Sequence, residues 1–197
     1  MDESLINVLI VDDEPLIRMD LREMLEESLI YRVIAEAKDG NEAITAVSKS
    51  EPDIIFMDIR MPNLDGIAAA QAIQEKASKR IPIVMLTAYS QTDLIEQASQ
   101  AGVFAYLTKP LRKADLVPAI EIALARSLEV QELSKEINKL KEKIETRKLV
   151  EKAKGLLMNK FDIAENVAYR KLQKEAMDKR MSLKEMSQII LESLTVS

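Results

Sequence analysis

The stretch DIIFMDIRMPNLDG, residues 53–66, combines an apolar strand, an acidic side chain and a turn. Residues 54–57 are all apolar, a pattern typical of a strand that is buried on both faces. Asp58 ends this strand, and Pro62 and Gly66 mark the turn that follows. Because polar sites of open parallel sheets lie beyond the carboxyl ends of the strands, Asp58 is a candidate functional residue.

Outward from this strand, short apolar runs alternate with amphipathic stretches of about 10 to 15 residues. This alternation predicts an α/β fold, in which helices cover both faces of a five-stranded parallel sheet. Asn41 and Ser90 are predicted helix N-caps, and Gly102 is a predicted helix stop. The five predicted strands are INVLIV, YRVIAEA, DIIFM, IPIVML and VFAYLT.

The composition excludes several kinds of chemistry. The 197 residues include no cysteine and no histidine. Thiol nucleophiles, disulfides, imidazole metal ligands and phosphohistidine are therefore excluded, and reactive groups must come from other side chains. No apolar run approaches the roughly 20 residues that span a bilayer, and the N-terminus begins with acidic residues. We therefore expect a cytoplasmic protein with no membrane partner.

Five polar side chains are predicted to meet at the carboxyl edge of the sheet. Asp12 and Asp13 follow the first strand, and Asp58 ends the third. Thr87 ends the fourth strand, and Lys109 follows the fifth. Carboxylates about 5 Å apart repel by about 3 kcal/mol per pair at an effective dielectric constant of about 20, so we expect a bound cation. Mg²⁺ suits this set because it prefers hard oxygen ligands and also binds phosphate oxygens. The arrangement predicts nucleophilic attack by Asp58 on a phosphoryl group.

The motifs VLIVDDEP, FMDIRMPNLDG, IPIVMLTAYS and YLTKP resemble the receiver domain of two-component response regulators, over residues 5 to about 125. The resemblance implies a flavodoxin-like fold and a phosphoacceptor at Asp58, which receives its phosphoryl group from a sensor histidine kinase or a small phosphodonor. It also implies that Lys109 senses the phosphoryl group and that a cis bond precedes Pro110. The other implied roles are Mg²⁺ binding by Asp12, Asp13, Asp58 and the backbone carbonyl of Arg60, and a switch pair formed by Thr87 and Tyr106.

A single long helix is predicted from about residue 119, because no proline occurs after Pro118. Apolar residues along it are spaced by three and four, as in the seam of a coiled coil. Only about two and a half heptads carry this spacing, so we expect a dimer that needs stabilisation from elsewhere. The alternative is a bundle helix that packs within the chain. The seam residues are Val130, Leu133, Ile137, Leu140 and Ile144.

The C-terminal residues predict a small three-helix unit that includes the end of the long helix. Asp162 with Glu165, and Ser182 with Glu185, have the spacing of capping boxes at the starts of the last two helices. Gly155 lies inside the first helix, where glycine costs about 1 kcal/mol relative to alanine, so it predicts close approach of another helix or of a ligand. The predicted helices cover roughly residues 147–160, 164–179 and 183–194.

A helical-wheel projection separates apolar and cationic side chains in this unit. The face formed by Ala168, Tyr169, Leu172 and Ala176 is predicted to point inward, whereas Lys154 is predicted to lie nearer solvent.

Charge is distributed unevenly along the chain. Residues 1–125 contain 12 basic and 21 acidic side chains, whereas residues 146–197 contain 11 basic and 7 acidic ones. This change of sign favours a polyanionic partner for the C-terminal unit, although a solvated helix face is the alternative. The last helix, LKEMSQIILES, has a net charge of −1, which does not suit the major groove of DNA.

The segments KAKGLLMNKF and AYRKLQKEAMDKRMSLKEMSQIIL resemble the ANTAR output module of antiterminator response regulators, over about residues 146–197. The resemblance implies binding of stem-loops in nascent mRNA, which prevents a downstream terminator from forming. The cations that we favour for RNA contact are Lys154, Arg170, Lys174, Lys179 and Arg180.

The sequence thus predicts a regulator rather than an enzyme, because the C-terminal unit lacks a polar constellation for catalysis. Phosphorylation of Asp58 is expected to draw Thr87 and Tyr106 inward, alter the surface near residues 90–115 and stabilise a dimer that holds two RNA loops. A DNA-binding transcription factor and a protein-binding output are the alternatives. The predicted domains are a receiver domain at residues 1–124, a coiled-coil linker helix at 125–146 and an ANTAR domain at 147–197.

Overall fold

The computed structural model describes residues 5–77, 79–88 and 102–195. The chain divides into two compact units, Met1–Glu132 and Leu133–Ser197. Within the described ranges, no helix is both long enough and apolar enough to cross a membrane.

The first unit contains a five-stranded parallel sheet with strand order β2-β1-β3-β4-β5. This confirms the predicted parallel α/β fold. The strands are β1 (Ile6–Val11), β2 (Tyr31–Ala37), β3 (Ile54–Asp58), β4 (Ile83–Thr87) and β5 (Val103–Thr108). The helices that pack on the sheet are α1 (Pro15–Glu26), α2 (Gly40–Ser50), α3 (Gly66–Lys76) and the long helix α4 (Lys113–Phe161).

Alternation along the strands produces a core on each face of the sheet. In β1, Val8 and Ile10 enter one core while Leu9 and Val11 enter the other, and all four are fully buried. Helices α1 and α4 complete the first core, and α2 and α3 complete the second. Burial on both faces explains why the strand sequences are continuous apolar runs rather than alternating ones.

Helix α2 begins two residues earlier than predicted. Its N-cap is Asp39, whose carboxylate accepts a hydrogen bond from the backbone N–H of Glu42 at 2.9 Å. The predicted cap, Asn41, is wrong because it already lies inside the helix, which starts at Gly40. Gly102 has φ of 80°, a conformation that glycine adopts without strain. Ser90, the other predicted cap, lies outside the described residues.

The long helix starts at Lys113 rather than at about residue 119. Pro118 therefore lies inside the helix, near its N-terminus, where it removes one backbone hydrogen bond. Leu116 and Ala119, on either side of Pro118, are both buried in the core that faces the sheet. Burial of this first turn stabilises the helix by more than the low helix propensity of proline destabilises it.

The second unit consists of the C-terminal part of α4 together with α5 (Glu165–Asp178) and α6 (Leu183–Thr195). As predicted, Ala168, Leu172 and Ala176 on α5 point inward, but Tyr169 stays 36% exposed. The buried core of the unit comprises Val150, Ala153, Leu157, Ala168, Leu172, Ala176, Met186 and Ile190.

One of the two predicted capping boxes forms. Ser182 Oγ accepts a hydrogen bond from the backbone N–H of Glu185, and the Glu185 carboxylate accepts one from the backbone N–H of Ser182. The box at Asp162 is wrong, because Asp162 has φ of 50° and the N-cap of α5 is Ala164, without a side-chain hydrogen bond.

Two glycines differ in what surrounds them. A Cβ added to Gly66 would lie 2.0 Å from the carbonyl oxygen of Asp58, so only glycine allows α3 to begin against the end of β3. A Cβ added to Gly155 would meet nothing within 4 Å. The predicted close approach of another helix at Gly155 is therefore wrong for the folded monomer.

This contrast predicts opposite effects of the same substitution. Gly66→Ala should lower the free energy of unfolding by about 1–3 kcal/mol, because the backbone of Asp58 must move. Gly155→Ala should raise it by about 0.5–1 kcal/mol, because alanine has the higher helix propensity and the site has room. Urea unfolding followed by circular dichroism measures both, and equal effects of the two substitutions would contradict the packing described.

Candidate functional site

Three carboxylates meet at the carboxyl edge of the sheet. Asp12 and Asp13 directly follow β1, and Asp58 is the last residue of β3. One oxygen from each lies within 4.8 Å of the others. Asp12 is fully buried and Asp58 is 7% exposed, while Asp13 is exposed to solvent. The strand ends therefore bring together the acidic residues that the sequence predicted to meet.

Lys109 supplies the positive charge of this cluster. Its Nζ lies 2.7 Å from Asp12 Oδ2, 3.2 Å from Asp58 Oδ1 and 3.8 Å from an oxygen of Glu14. The backbone N–H of Lys109 donates to the carbonyl of Thr87 at 2.7 Å, which fixes the chain beyond β5 to the end of β4. The peptide bond between Lys109 and Pro110 is cis, as predicted.

Burial and charge act in opposite directions on the acidity of these groups. Burial raises the pKa of Asp58 above its usual value, with a smaller contribution from the charge of Asp12, and the positive charge of Lys109 only partly compensates. For Lys109, burial lowers the pKa, but the hydrogen bond to Asp12 and the charge of Asp58 outweigh it, so that the net pKa is raised. Lys109 therefore remains a cation, whereas the Asp58 carboxylate is poorly solvated.

Three residues that support Asp12, directly or through Arg18, were not predicted from the sequence. Arg18 on α1 donates from Nη1 to the backbone carbonyl of Asp12 at 2.8 Å, and Glu36 on β2 accepts from its Nε at 3.0 Å. The backbone N–H of Glu14 donates to Asp12 Oδ1 at 2.9 Å. The hydrogen bonds from Arg18 and from the backbone N–H of Glu14 orient Asp12. The one feature of the sequence that could have indicated Arg18 is its position, one helical turn after Glu14.

The other predicted residues of this site lie around its edge. Thr87 ends β4, one residue after Leu86, which pairs with Asp58 across the sheet. Tyr106 on β5 is partly buried against the second core, and burial raises the pKa of its hydroxyl, which stays protonated. Arg60 is exposed, two residues beyond Asp58. Part of the surface predicted to respond, residues 89–101, lies outside the described residues.

The arrangement matches the ligand preferences of a hard divalent cation. Carboxylate oxygens are the ligands that Mg²⁺ prefers, and Mg²⁺ requires few of them because it keeps several waters. Asp13 is open to solvent, which leaves room for such waters. A carboxylate nucleophile next to a fixed ammonium group is suited to phosphoryl transfer.

In the second unit, Lys154 does not face solvent as predicted. It is only 7% exposed, and its Nζ lies 2.8 Å from Glu151 Oε1 and 2.6 Å from Glu165 Oε1. Nζ also lies 5.9 Å from the ring centroid of Tyr169. The hydrogen bonds to Glu151 and Glu165 raise the pKa of Lys154 despite its burial. The prediction of a solvent-facing cation is wrong, because the two carboxylates tie this ammonium group between α4 and α5.

The other four predicted cations, Arg170, Lys174, Lys179 and Arg180, are all exposed. Arg170 and Lys174 lie on α5, and Lys179 and Arg180 lie in the turn that follows it. In the described part of the chain, none of the four belongs to an ion pair. Their charge is therefore available for an anionic partner.

The predicted seam residues also remain uncovered. Leu133, Ile137, Leu140 and Ile144 are each exposed by half or slightly more. Val130 differs, because it is partly buried against the core of the first unit. The alternative that this stretch packs within the chain is therefore contradicted for the four exposed residues.

Comparisons with known proteins agree with the two-part organisation. A family model described as the response regulator receiver domain matches residues 8–121, and one described as the ANTAR domain matches residues 138–191. The transcriptional regulatory protein PdtaR of Mycobacterium tuberculosis is 50% identical over 188 residues, which cover 95% of this chain and 90% of PdtaR. The chemotaxis protein CheY of Halobacterium salinarum is 38% identical over 117 residues, which cover 59% of this chain and 95% of CheY.

Solved structures resemble the first unit. The response regulator domain of Thermotoga maritima CheB has a TM-score of 0.58 and 31% identity, and the match covers 62% of this chain and 98% of that domain. A chain of the CheX–CheY–BeF3–Mg²⁺ complex of Borrelia burgdorferi has a TM-score of 0.55 and 29% identity, covering 58% of this chain and 85% of that one. The present chain therefore belongs to the response regulators, and it combines a receiver domain with a C-terminal ANTAR domain.

Proposed function

We propose that this protein is a phosphorylation-activated antiterminator, which accepts a phosphoryl group at Asp58, dimerises and binds stem-loops in nascent mRNA. The observation that carries the proposal is the cluster of Asp12, Asp13, Asp58 and Lys109 in a receiver domain that precedes an ANTAR domain. The 50% identity to a transcriptional regulatory protein over nearly the whole chain supports a role in transcription.

In the proposed reaction, a carboxylate oxygen of Asp58 attacks the phosphorus atom of a sensor histidine kinase or a small phosphodonor. The new Asp58–phosphorus bond forms as the bond to the donor breaks. Lys109 stabilises the negative charge of the phosphoryl oxygens, since its Nζ already lies 3.2 Å from Asp58. Poor solvation of the Asp58 carboxylate favours its use as a nucleophile. Arg18 and Glu14 keep Asp12 oriented beside the reacting group.

Asp12, Asp13, Asp58 and the backbone carbonyl of Arg60 are the proposed ligands of Mg²⁺. The bound ion supplies positive charge next to the phosphoryl oxygens. The three carboxylates bring more negative charge than Lys109 alone balances, which supports the binding of a divalent cation.

Neutralising one exposed ligand should therefore weaken Mg²⁺ binding. We expect Asp13→Asn to raise the dissociation constant of Mg²⁺ at least about tenfold, because one full charge close to the ion is lost. Isothermal titration calorimetry measures this constant. Asp20→Asn is the matched control, since Asp20 is an exposed acid on α1. An equal effect of both substitutions would show that only the net charge of the domain matters.

Thr87 and Tyr106 are the proposed switch pair. Thr87 lies at the end of the strand beside Asp58, where its hydroxyl can donate to a phosphoryl oxygen at Asp58. Tyr106 stands on the neighbouring strand and is only partly buried, so its ring can move further inward as Thr87 moves. This motion is the proposed link between Asp58 and the surface around residues 90–115.

The seam on α4 is the proposed dimer contact. Four apolar side chains at coiled-coil spacing lie exposed, and burying them against a second copy would stabilise a dimer. Two ANTAR domains on one dimer can each hold an RNA loop, and the linkage raises the effective concentration of the second contact.

The exposed cations of the ANTAR domain are the proposed RNA contacts. Arg170, Lys174, Lys179 and Arg180 carry charges that no carboxylate of the described chain neutralises. Lys154 is not included in this proposal, because Glu151 and Glu165 already bind it. Contacts of this kind predict that RNA affinity falls steeply as the salt concentration rises.

The central test compares wild-type protein with Asp58→Asn in the presence of Mg²⁺ and acetyl phosphate. We expect the wild type to gain one phosphoryl group, measured by intact-mass spectrometry, and to dimerise, measured by light scattering. In gel shifts, the phosphorylated protein should bind hairpin RNA at least about tenfold more tightly than the unphosphorylated protein, through avidity. Asp58→Asn should show none of these changes, because the isosteric amide is not nucleophilic. Asp20→Asn serves as the control.

The same gel-shift assay separates the alternatives. Stronger binding of duplex DNA than of hairpin RNA would favour a DNA-binding transcription factor. Absence of affinity for either nucleic acid, with phosphorylation intact, would favour a protein-binding output. An RNA affinity that does not change on phosphorylation would contradict the proposed coupling between Asp58 and the ANTAR domain.

The seam can be tested independently of the phosphoacceptor. Leu140→Glu should prevent dimerisation, because a charge would be buried in the apolar contact, and RNA affinity should fall at least about tenfold with the loss of avidity. Lys135→Glu places the same charge on the opposite side of α4 and should leave both unchanged. Light scattering and gel shifts measure the outcome, and a dimer formed by Leu140→Glu would locate the contact elsewhere.

A further inference from the structure

The ANTAR domain contains an open cleft between α4, the start of α5 and the start of α6. Its volume is about 990 Å³. Val150 and Leu183 form apolar walls, and Tyr169 lines the cleft with a ring that is 36% exposed. The cleft therefore offers an aromatic surface next to apolar side chains.

A buried lysine, paired with two exposed glutamates, forms one side of this cleft. Lys154 binds Glu151 and Glu165, one carboxylate from α4 and one from α5. The cluster connects α4 to α5, the helix that carries Tyr169, and the ammonium group lies 5.9 Å from the centroid of the Tyr169 ring. Lys154 thus positions the ring rather than reaching out to a partner.

Three cations, Lys139, Lys143 and Arg147, line the cleft along α4. Glu142 is the one lining acid without an ion pair to another described residue. In the described chain none of these three cations is in an ion pair. The side-chain amide of Asn166 also lines the cleft, and no hydrogen bond to it is formed by the described residues. The cleft thus combines free cations with a free amide and an aromatic ring.

We propose that this cleft receives one unpaired base of the bound RNA loop, which stacks on Tyr169. The inference rests on the proposed RNA-binding function. Bases of single-stranded loops are recognised by stacking on aromatic side chains and by hydrogen bonds to their edges. Asn166 carries both a donor and an acceptor for such an edge. Lys139, Lys143 and Arg147 attract the phosphates that flank the base, which favours RNA over an uncharged protein segment.

The cleft and the proposed dimer seam are compatible. The exposed seam residues Leu140 and Ile144 lie on the same stretch of α4, but neither lines the cleft. Each copy in a dimer can therefore hold its own base.

The test uses full-length phosphorylated protein and a hairpin RNA selected by the wild type from a pool with a constant stem and a randomised loop. We expect Tyr169→Leu to weaken binding about 5- to 150-fold, the range for loss of one base–aromatic stack. Tyr169→Phe should bind like wild type, because the ring is retained. Phe161→Leu is the matched control: Phe161 is an exposed aromatic residue of the same domain, its ring contacts Lys171, and it does not line the cleft.

Abasic substitution through the loop provides a second readout, which a purely structural role of Tyr169 would not change. Removing one particular base should weaken wild type but have little further effect on Tyr169→Leu, since both changes remove the same contact. The cleft proposal would be overturned if every abasic substitution lowered the RNA affinity of wild type and of Tyr169→Leu equally, or if Tyr169→Leu bound RNA with full affinity. In both cases the proposed RNA binding itself would stand. If wild type selects no hairpin at all, the proposed function itself fails.

Discussion

The receiver domain depends on the balance of charge at the carboxyl edge of its sheet. Three carboxylates within 4.8 Å of one another would repel strongly, and Lys109 is the one cation of the described chain that touches two of them. The balance is incomplete, because one ammonium group faces Asp12, Asp13 and Asp58 together. An incompletely neutralised and partly buried cluster favours the uptake of positive charge, as the raised pKa of Asp58 indicates. This preference is the link that we propose between the fold and phosphoryl chemistry.

The rest of the domain holds this cluster in place. Asp12 is fixed by hydrogen bonds from Arg18 and from the backbone of Glu14, and Gly66 lets α3 begin against the carbonyl of Asp58. The strands below form a closely packed base, because side chains pack on both faces of the sheet. The proposed switch at Thr87 lies at the edge of this base, beside Asp58.

The ANTAR domain uses buried charge for a different purpose. Lys154 and its two glutamates connect α4 to α5 in a domain whose apolar core is small. Lys154 is buried whereas Glu151 and Glu165 are mostly exposed, so losing the glutamates would leave the ammonium group buried without a partner. Cations at the surface, such as Arg170 and Lys174, remain free for a polyanion. Burial thus distinguishes the structural cation Lys154 from the exposed cations that we propose for RNA contact.

Local patterns in the sequence were sufficient for the sheet, the helices of the second unit and the cluster around Asp58, because strand ends of a parallel sheet meet at one edge whatever their exact packing. They failed at the helix caps predicted at Asn41 and Asp162, and where the surroundings supplied by other helices decide the outcome. Periodicity placed Lys154 near solvent, whereas Glu165 from another helix captures it; Gly155 suggested close packing, whereas the space beside it is open. Residue type and spacing determined which elements form and which chemistry is available. Only the tertiary structure decided which charges are neutralised and which surfaces stay uncovered, because both depend on contacts between elements that no local pattern encodes.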